Sequence, residues 1–308
     1  MTTAPARTEL RIAFLGLGAI GTPMARHLAA SPFELTVWNR TAEKSRAFGA
    51  EFAARVADTP AEAARGADVV ITCLPSSVEV ESVLAGEHGL LVGLERGAVF
   101  VDCTSGDPAA SRRIAEQVKK RGVEFLDAPV SGGVSGAEQA RLTVMAGGDA
   151  AVLARVRPVL TVFGEKIVHC GVVGTGHALK SVNNGLLALH IWSTAEALAT
   201  LARVGVSPDV ALDTINASSG RSNASMNLFP ERVLTGRFPR TFRLALLDKD
   251  SRIAAGVARE AGVDARLLAL AAELFASAHD ELGEEADHVE AVRLVERAAG
   301  VELRSAAQ

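Results

Sequence analysis

The sequence predicts an α/β domain with a mostly parallel, doubly wound sheet, followed by a long helix and an all-α C-terminal domain. Three observations carry this. Apolar runs of strand length alternate with helical patterns through about the first half of the chain. Beyond His177 the pattern is helical only. The first apolar run ends in Gly16-x-Gly18-x-x-Gly21, directly before a helical stretch. That strand, turn and helix read as the opening of a Rossmann domain. A length of 308 residues suits two domains.

The first element is the run Leu10-Arg11-Ile12-Ala13-Phe14-Leu15, leading into Gly16-Leu17-Gly18-Ala19-Ile20-Gly21. Gly16 permits a tight turn, Gly18 lets the backbone approach a pyrophosphate, and Gly21 lets the helix lie close on the strand. The helix N-terminus then offers free N–H groups and a positive dipole end to an anion. A bare βα turn is the plainer alternative, but the strand before and the helix after are the context that a dinucleotide site requires. Leu35-Thr36-Val37-Trp38 is the second strand, and it ends in Asn39-Arg40-Thr41. An NAD-binding domain usually places an acid here for the ribose 2′-hydroxyl. Asn39 stands in its place, and Arg40 can pair with a 2′-phosphate and stack on the adenine. The expectation is NADP(H) in preference to NAD(H); the competing reading makes Arg40 a solvated surface arginine.

Two further strands, Asp68–Leu74 and Val99–Cys103, end in Leu74-Pro75 and Thr104-Ser105. In a parallel sheet the ligand lies beyond the carboxyl ends of the strands. Leu74, Pro75 and Ser105 are therefore candidates for ribose and nicotinamide contacts. Asp127-Ala128-Pro129-Val130-Ser131-Gly132-Gly133-Val134-Ser135-Gly136-Ala137 follows another strand. Outward backbone N–H groups in such a loop can hold a carboxylate or phosphate; a flexible connector is the alternative. A strand over 143–148, a helix over 150–160 and a strand over 166–169 close the nucleotide domain, assigned to 1–173, with 174–308 as the helical substrate and dimerisation domain.

A helix over 177–204 spans about 42 Å, enough to run from one domain into the next. Helices are expected over 208–217, 243–260, 265–282 and 286–298, with Pro-containing turns at Phe229-Pro230 and Phe238-Pro239. Arg221, Phe229, Phe242 and Arg243 are expected on the far wall of the cleft, where they would select the substrate.

Bulk composition excludes several function classes. The net charge of −4 gives no reason to expect nucleic acid or an anionic membrane as partner. No apolar run is read as a membrane span. Met1-Thr2-Thr3-Ala4-Pro5-Ala6 lacks the apolar core of a signal peptide. Cys73, Cys103 and Cys170 have no metal-like spacing and read as free thiols in a reducing cytoplasm. No metal is expected.

Lys180 and Asn184 are four apart near the start of the long helix, so they share one face. They follow a glycine-rich turn leaving the nucleotide domain, which would put both in an interdomain cleft. The apolar setting Ala178-Leu179-Lys180-Ser181-Val182 would partly desolvate the amine and lower its pKa toward neutrality, where it can give and take a proton. A surface ion pair is the plainer reading of Lys180 alone. Lys249-Asp250 opens a later helix, and its plain reading is an acidic first turn.

Four separated stretches together resemble the β-hydroxyacid dehydrogenases, which include 3-hydroxyisobutyrate dehydrogenase, tartronate semialdehyde reductase, and the glyoxylate and succinic semialdehyde reductases. Gly16 through Ala25 resembles the cofactor signature, with Ile20 where Met is common. Asp127 through Gly133 resembles the substrate signature, Gly171 through Asn184 the catalytic one, and Lys249-Asp250 a late motif. The resemblance implies Lys180 as general acid/base, with Ser131, Gly132 and Gly133 on the substrate carboxylate. Asn184 would orient the substrate, Lys249 would reach over the nicotinamide, Asp250 would support the site, and Ser105 would touch the cofactor near its ribose. It also implies a homodimer or homotetramer. A 6-phosphogluconate dehydrogenase would carry His where Asn183 stands, and imine reductases typically lack the lysine. An imine reductase and a non-catalytic nucleotide-binding scaffold remain the alternative readings.

Overall fold

The computed structural model describes residues 10–305; the leader-free N-terminus expected from residues 1–6 lies outside them. The first compact unit extends to Lys180 and the second begins at Ser181. The division falls inside the long helix and not ahead of it at 173/174. The reason is local: the N–H groups of Gly174 and His177 both donate to the Asp127 carboxylate, at 2.6 and 2.9 Å, which ties the helix start to the sheet.

In chain order the first unit consists of β1 (Arg11–Leu15), α1 (Gly21–Ala29), β2 (Glu34–Trp38), α2 (Ala42–Glu51), β3 (Arg55–Val56), α3 (Pro60–Ala64), β4 (Val69–Thr72), α4 (Ser77–Leu84), α5 (Leu90–Gly93), β5 (Val99–Asp102), α6 (Pro108–Lys119), β6 (Glu124–Asp127), β7 (Val130–Ser131), α7 (Gly133–Glu138), β8 (Leu142–Gly147), α8 (Ala150–Leu160) and β9 (Gly164–Gly171). The sheet order is β3-β2-β1-β4-β5-β6-β8-β7, with β9 also on β8. Strands β1 to β6 pair in parallel, whereas β8 runs antiparallel to β6 and β7. Side chains alternate between faces, and both faces are covered. Ile12, Phe14, Val37, Ile71 and Val101 enter one core. Ala13, Leu15, Val70 and Phe100 enter the other. That double burial is why the strands read as continuous apolar runs. The chain turns from β1 to β2 on one side and reaches β4 on the other, so the order reverses at β1, the position where such sheets bind ligands.

The second unit continues α9 (Thr175–Arg203) and adds α10 (Pro208–Ala217), a π-helix (Ala224–Val233), α11 (Leu244–Glu260), α12 (Arg266–Leu282), a 3-10 turn (His288–Ala291) and α13 (Val292–Ala299). Two expectations change. Phe229-Pro230 is not a turn but lies within the π-helix, where Ala224, Ser225, Phe229 and Val233 are buried four to five residues apart. Pro230 lacks the N–H that would bond the Ser225 carbonyl five residues back, and the Asn216 side chain donates to that carbonyl instead, at 3.0 Å. Helix α9 is long and apolar enough to cross a membrane by length and composition alone, contrary to the sequence reading. Its apolar side is accounted for by packing: Ala188, Ile191, Ala195, Leu198 and Ala199 enter the core of the helical unit.

Asp287 pins this unit. Its carboxylate accepts the N–H groups of Thr241 and Phe242, at 2.8 and 3.1 Å, and pairs with His288 at 3.0 Å. Burial works against its ionisation, but the His288 contact and the two backbone donors outweigh it and hold the carboxyl far below its usual range. A depressed carboxyl stabilises the fold above its unfolded pKa, near 3.9, and that stability is lost as pH falls toward the native value. Asp287→Ala should destabilise the chain by about 3–5 kcal/mol, read from urea unfolding at neutral pH, because His288 and two N–H groups lose their acceptor.

Candidate active site

The glycine turn at the sheet's switch point is shaped by backbone contact. Gly16 has φ +109, and a Cβ there would lie 2.3 Å from the Cys73 carbonyl oxygen. A Cβ on Gly21 would lie 1.9 Å from the Gly16 oxygen. Gly18 differs: a Cβ there would meet no protein atom within 4 Å. No side chain caps α1 and its first turn holds no acid. An open approach at Gly18, beside an uncapped helix N-terminus, fits a pyrophosphate group.

Asn39 has a part in this turn that its position alone did not reveal. Its Oδ1 accepts the Leu17 N–H at 2.9 Å, and its Nδ2 donates to the Thr41 oxygen at 3.0 Å. The amide thus braces the glycine turn against the end of β2. Ala19, Arg40 and Thr41 are exposed, and Ile20 is half-buried. At the next strand ends, the Leu74 N–H donates to Thr104 Oγ1 at 3.1 Å. Pro75 is exposed and Ser105 half-buried. Buried Asp102 holds these two ends together, since its Oδ1 accepts from Thr72 Oγ1 at 2.8 Å and from the Thr104 N–H at 3.1 Å. Sequence reading missed Asp102, although an acid closing an otherwise apolar strand was a visible signal. Burial pushes the neighbouring Cys73 thiol up to about 12, with the Asp102 charge adding to it. It is therefore an inert thiol at neutral pH.

The glycine-rich stretch 127–137 is more ordered than a loop. Ser131 pairs with Thr143 across β7 and β8, and α7 starts at Gly133. Only Gly132 (φ +138) and Gly133 (φ +65) form the turn, and both are exposed. Half-buried His27 on α1 reaches the C-terminal end of α7, with Nε2 3.0 Å from the carbonyl oxygens of both Ala137 and Glu138. The glycine-turn helix is thereby fastened to the helix that follows Ser131-Gly132-Gly133. Lys180 closes this unit and is only 9% exposed, so it is not a solvated surface lysine.

In the helical unit, buried Asn184 donates from Nδ2 to Asp250 Oδ2 at 2.6 Å, and Lys249 Nζ lies 3.1 Å from Asp250 Oδ1. Three residues expected at the site are therefore brought together, from α9 and α11. Asn184 stands one helical turn after Lys180. Phe229 does not line a cleft: it is wholly buried in the helical core. Phe242 stacks edge-on to His288 and Arg243 precedes α11, while Arg221 is exposed.

Residues 11–171 match the family described as the NAD binding domain of 6-phosphogluconate dehydrogenase, and residues 174–295 match that described as NAD-binding of NADP-dependent 3-hydroxyisobutyrate dehydrogenase. The 2-(hydroxymethyl)glutarate dehydrogenase of Eubacterium barkeri is 34% identical over 87% of this chain and 88% of its own. A solved structure of the Mycobacterium tuberculosis 3-hydroxyisobutyrate dehydrogenase with L-serine is 30% identical, with a TM-score of 0.85 over 94% of this chain and 99% of that one. The imine reductase of Bacillus cereus, 22% identical with a TM-score of 0.62 over 93% and 99%, shares the fold alone. Glycine turn, switch-point sheet and both family matches make the protein an NAD(P)-dependent oxidoreductase acting on CH–OH groups. Within that class, the chain belongs to the β-hydroxyacid dehydrogenase family.

Proposed function

We propose that this oxidoreductase prefers NADP(H), acts on a short β-hydroxy acid or its semialdehyde, and uses Lys180 as general acid/base. The observation that carries the reading is the burial of Lys180 directly after a helix start anchored to the sheet. A buried amine fixed one turn into an anchored helix is positioned to give or take a proton. When bound, the nicotinamide supplies or accepts the hydride. In reduction, protonated Lys180 polarises the substrate carbonyl and gives its proton to the oxygen. In oxidation, neutral Lys180 takes the hydroxyl proton. The backbone N–H groups at Gly132 and Gly133, with the Ser131 hydroxyl, hold the carboxylate. Asn184, aimed by its hydrogen bond to Asp250, orients the substrate. Lys249, steered by the same carboxylate, serves the nicotinamide side. The three free cysteines suit a cytoplasmic enzyme, and a homodimer or homotetramer is the proposed assembly.

NADP(H) preference rests on exposed Arg40, with the neighbouring amide of Asn39 in place of an acid. Arg40→Asp should move the ratio of kcat/KM values from NADP toward NAD by roughly tenfold or more, a difference of about 1.4 kcal/mol. An unchanged ratio would remove Arg40 from the cofactor reading. The reaction class is tested by offering hydroxy acids with NADP, and semialdehydes and cyclic imines with NADPH. Turnover of the first two groups is expected, and turnover of imines alone would overturn the proposal.

A further inference from the structure

His27 joins the cofactor turn to the substrate loop, and none of the roles above assigns it a part. It lies in the last turn of α1, about 9 Å along the helix from Gly21. Its Nε2 stands 3.0 Å from the carbonyl oxygens of both Ala137 and Glu138, which close α7. A carbonyl oxygen has no proton to give, so in both contacts the ring is the donor and Nε2 carries the hydrogen. One N–H is thus shared between two of the carbonyls that a helix end leaves without a partner inside the helix.

That end of α7 is where outside support matters. The helix has six residues, and Gly132 before it makes no side-chain cap. The chain leaves it through Ala140, whose φ of +55 lies in the left-handed region that a residue with a Cβ adopts at a cost. Ala137 is wholly buried and shares a core with Met24 and Leu28 of α1. One methyl group fixes where so short a helix sits but not how it is tilted. Leu142 backs the turn at the near end, since a Cβ on Gly132 would lie 3.1 Å from its Cδ2. The His27 bond grips the far end, and the two together fix the tilt.

We propose that His27 is a positioning residue for the substrate carboxylate: by holding the end of α7 to α1, it sets the Ser131-Gly132-Gly133 loop against the glycine turn that begins the same helix. The inference rests on the reading of that loop as the carboxylate holder. In a β-hydroxy acid the carboxylate and the hydroxyl-bearing carbon are separated by a single carbon atom. A displaced loop therefore carries the reacting carbon away from the nicotinamide, or leaves the carboxylate poorly held. The role needs an N–H at the position of Nε2 and no charge, so a neutral ring fills it, and so does a glutamine amide.

The test combines ¹⁵N NMR of the histidine-labelled full chain with kinetics of 3-hydroxypropanoate oxidation by NADP. Nε2 of His27 should carry a proton at pH 8, above the ordinary imidazole pKa of about 6.5. His27→Leu should raise KM for 3-hydroxypropanoate about tenfold. Its NADPH dissociation constant, from fluorescence titration, should be unchanged, because the glycine turn keeps its contacts with β1. His27→Gln, whose amide nitrogen reaches about as far as Nε2, should restore most of the KM. In the double variant His27→Leu/Ser131→Ala the rise in KM should be smaller than the product of the two single effects, since both act on one loop. An unprotonated Nε2 would overturn the inference, as would an unchanged KM in His27→Leu, absence of rescue by glutamine, or effects that simply multiply. NADPH affinity falling in step with KM would also overturn it, by showing a general loosening of α1. Should His27→Leu fail to fold, His27→Asn, whose amide is too short to reach α7, takes its place with the same rise expected. A raised KM in Ser131→Ala beside a wild-type KM in His27→Leu sinks the inference and leaves the loop as the carboxylate holder. A wild-type KM in Ser131→Ala sinks that reading, while the NMR result still decides whether His27 holds α7.

Discussion

Replacing Lys180 with alanine should lower kcat by about 10²- to 10⁴-fold, the usual loss for one general acid/base group. NADPH binding, followed by fluorescence titration, should be nearly unchanged, because the glycine turn and Arg40 do not depend on the amine. Lys180 is 9% exposed, so truncation to alanine also removes packed stem atoms. Lys180→Met separates the two effects. It keeps most of the stem volume and lacks the amine, so its stability should stay close to wild type while its turnover stays as low as that of the alanine variant. A methionine variant that turns over at the wild-type rate would exclude proton transfer by Lys180.

The second large effect is expected at the glycine turn, where two substitutions of the same size should do opposite things. Gly21→Ala places a Cβ 1.9 Å from the Gly16 oxygen, a backbone atom that cannot move without opening the β1–α1 turn. Overpacking of this kind costs roughly 1–3 kcal/mol, and more where backbone must yield. The thermal midpoint should fall, and NADPH affinity with it. Gly18→Ala meets no protein atom within 4 Å, so its thermal midpoint should match the wild type. Its NADPH affinity should nevertheless fall by at least about tenfold, or about 1.4 kcal/mol, since the added methyl occupies the approach path of the pyrophosphate. Equal loss of stability in both variants would mean that Gly18 is retained for folding and not for the cofactor.

Much of the nucleotide-binding unit was legible because its signals are local. Continuous apolar runs follow from strands buried on both faces, and Gly16-x-Gly18-x-x-Gly21 follows from backbone contacts within one turn. Other features were illegible because their causes lie far away in sequence. Phe229-Pro230 looked like a turn because proline withholds an N–H, yet Asn216 supplies the missing donor to the Ser225 carbonyl and the π-helix continues. Phe229 was expected on the cleft wall with the rest of its segment, yet it is enclosed in the helical core. The apolar length of α9 reflects that same core.

Asp102 and His177 make the point most sharply. They are 75 positions apart, near the end of one strand and the start of a helix, and only the sheet order brings Nε2 to 3.9 Å from a carboxylate oxygen. By itself the sequence determined the fold class and the dinucleotide turn, because periodicity and glycine spacing are written along the chain. Tertiary structure alone decided that Asn39 braces the glycine turn, that Asn184 is held by Asp250, and that Lys180 follows a helix start fastened to Asp127. Hydrogen-bond partners are chosen by proximity in space, and proximity across the sheet or between helices leaves no periodic trace in sequence.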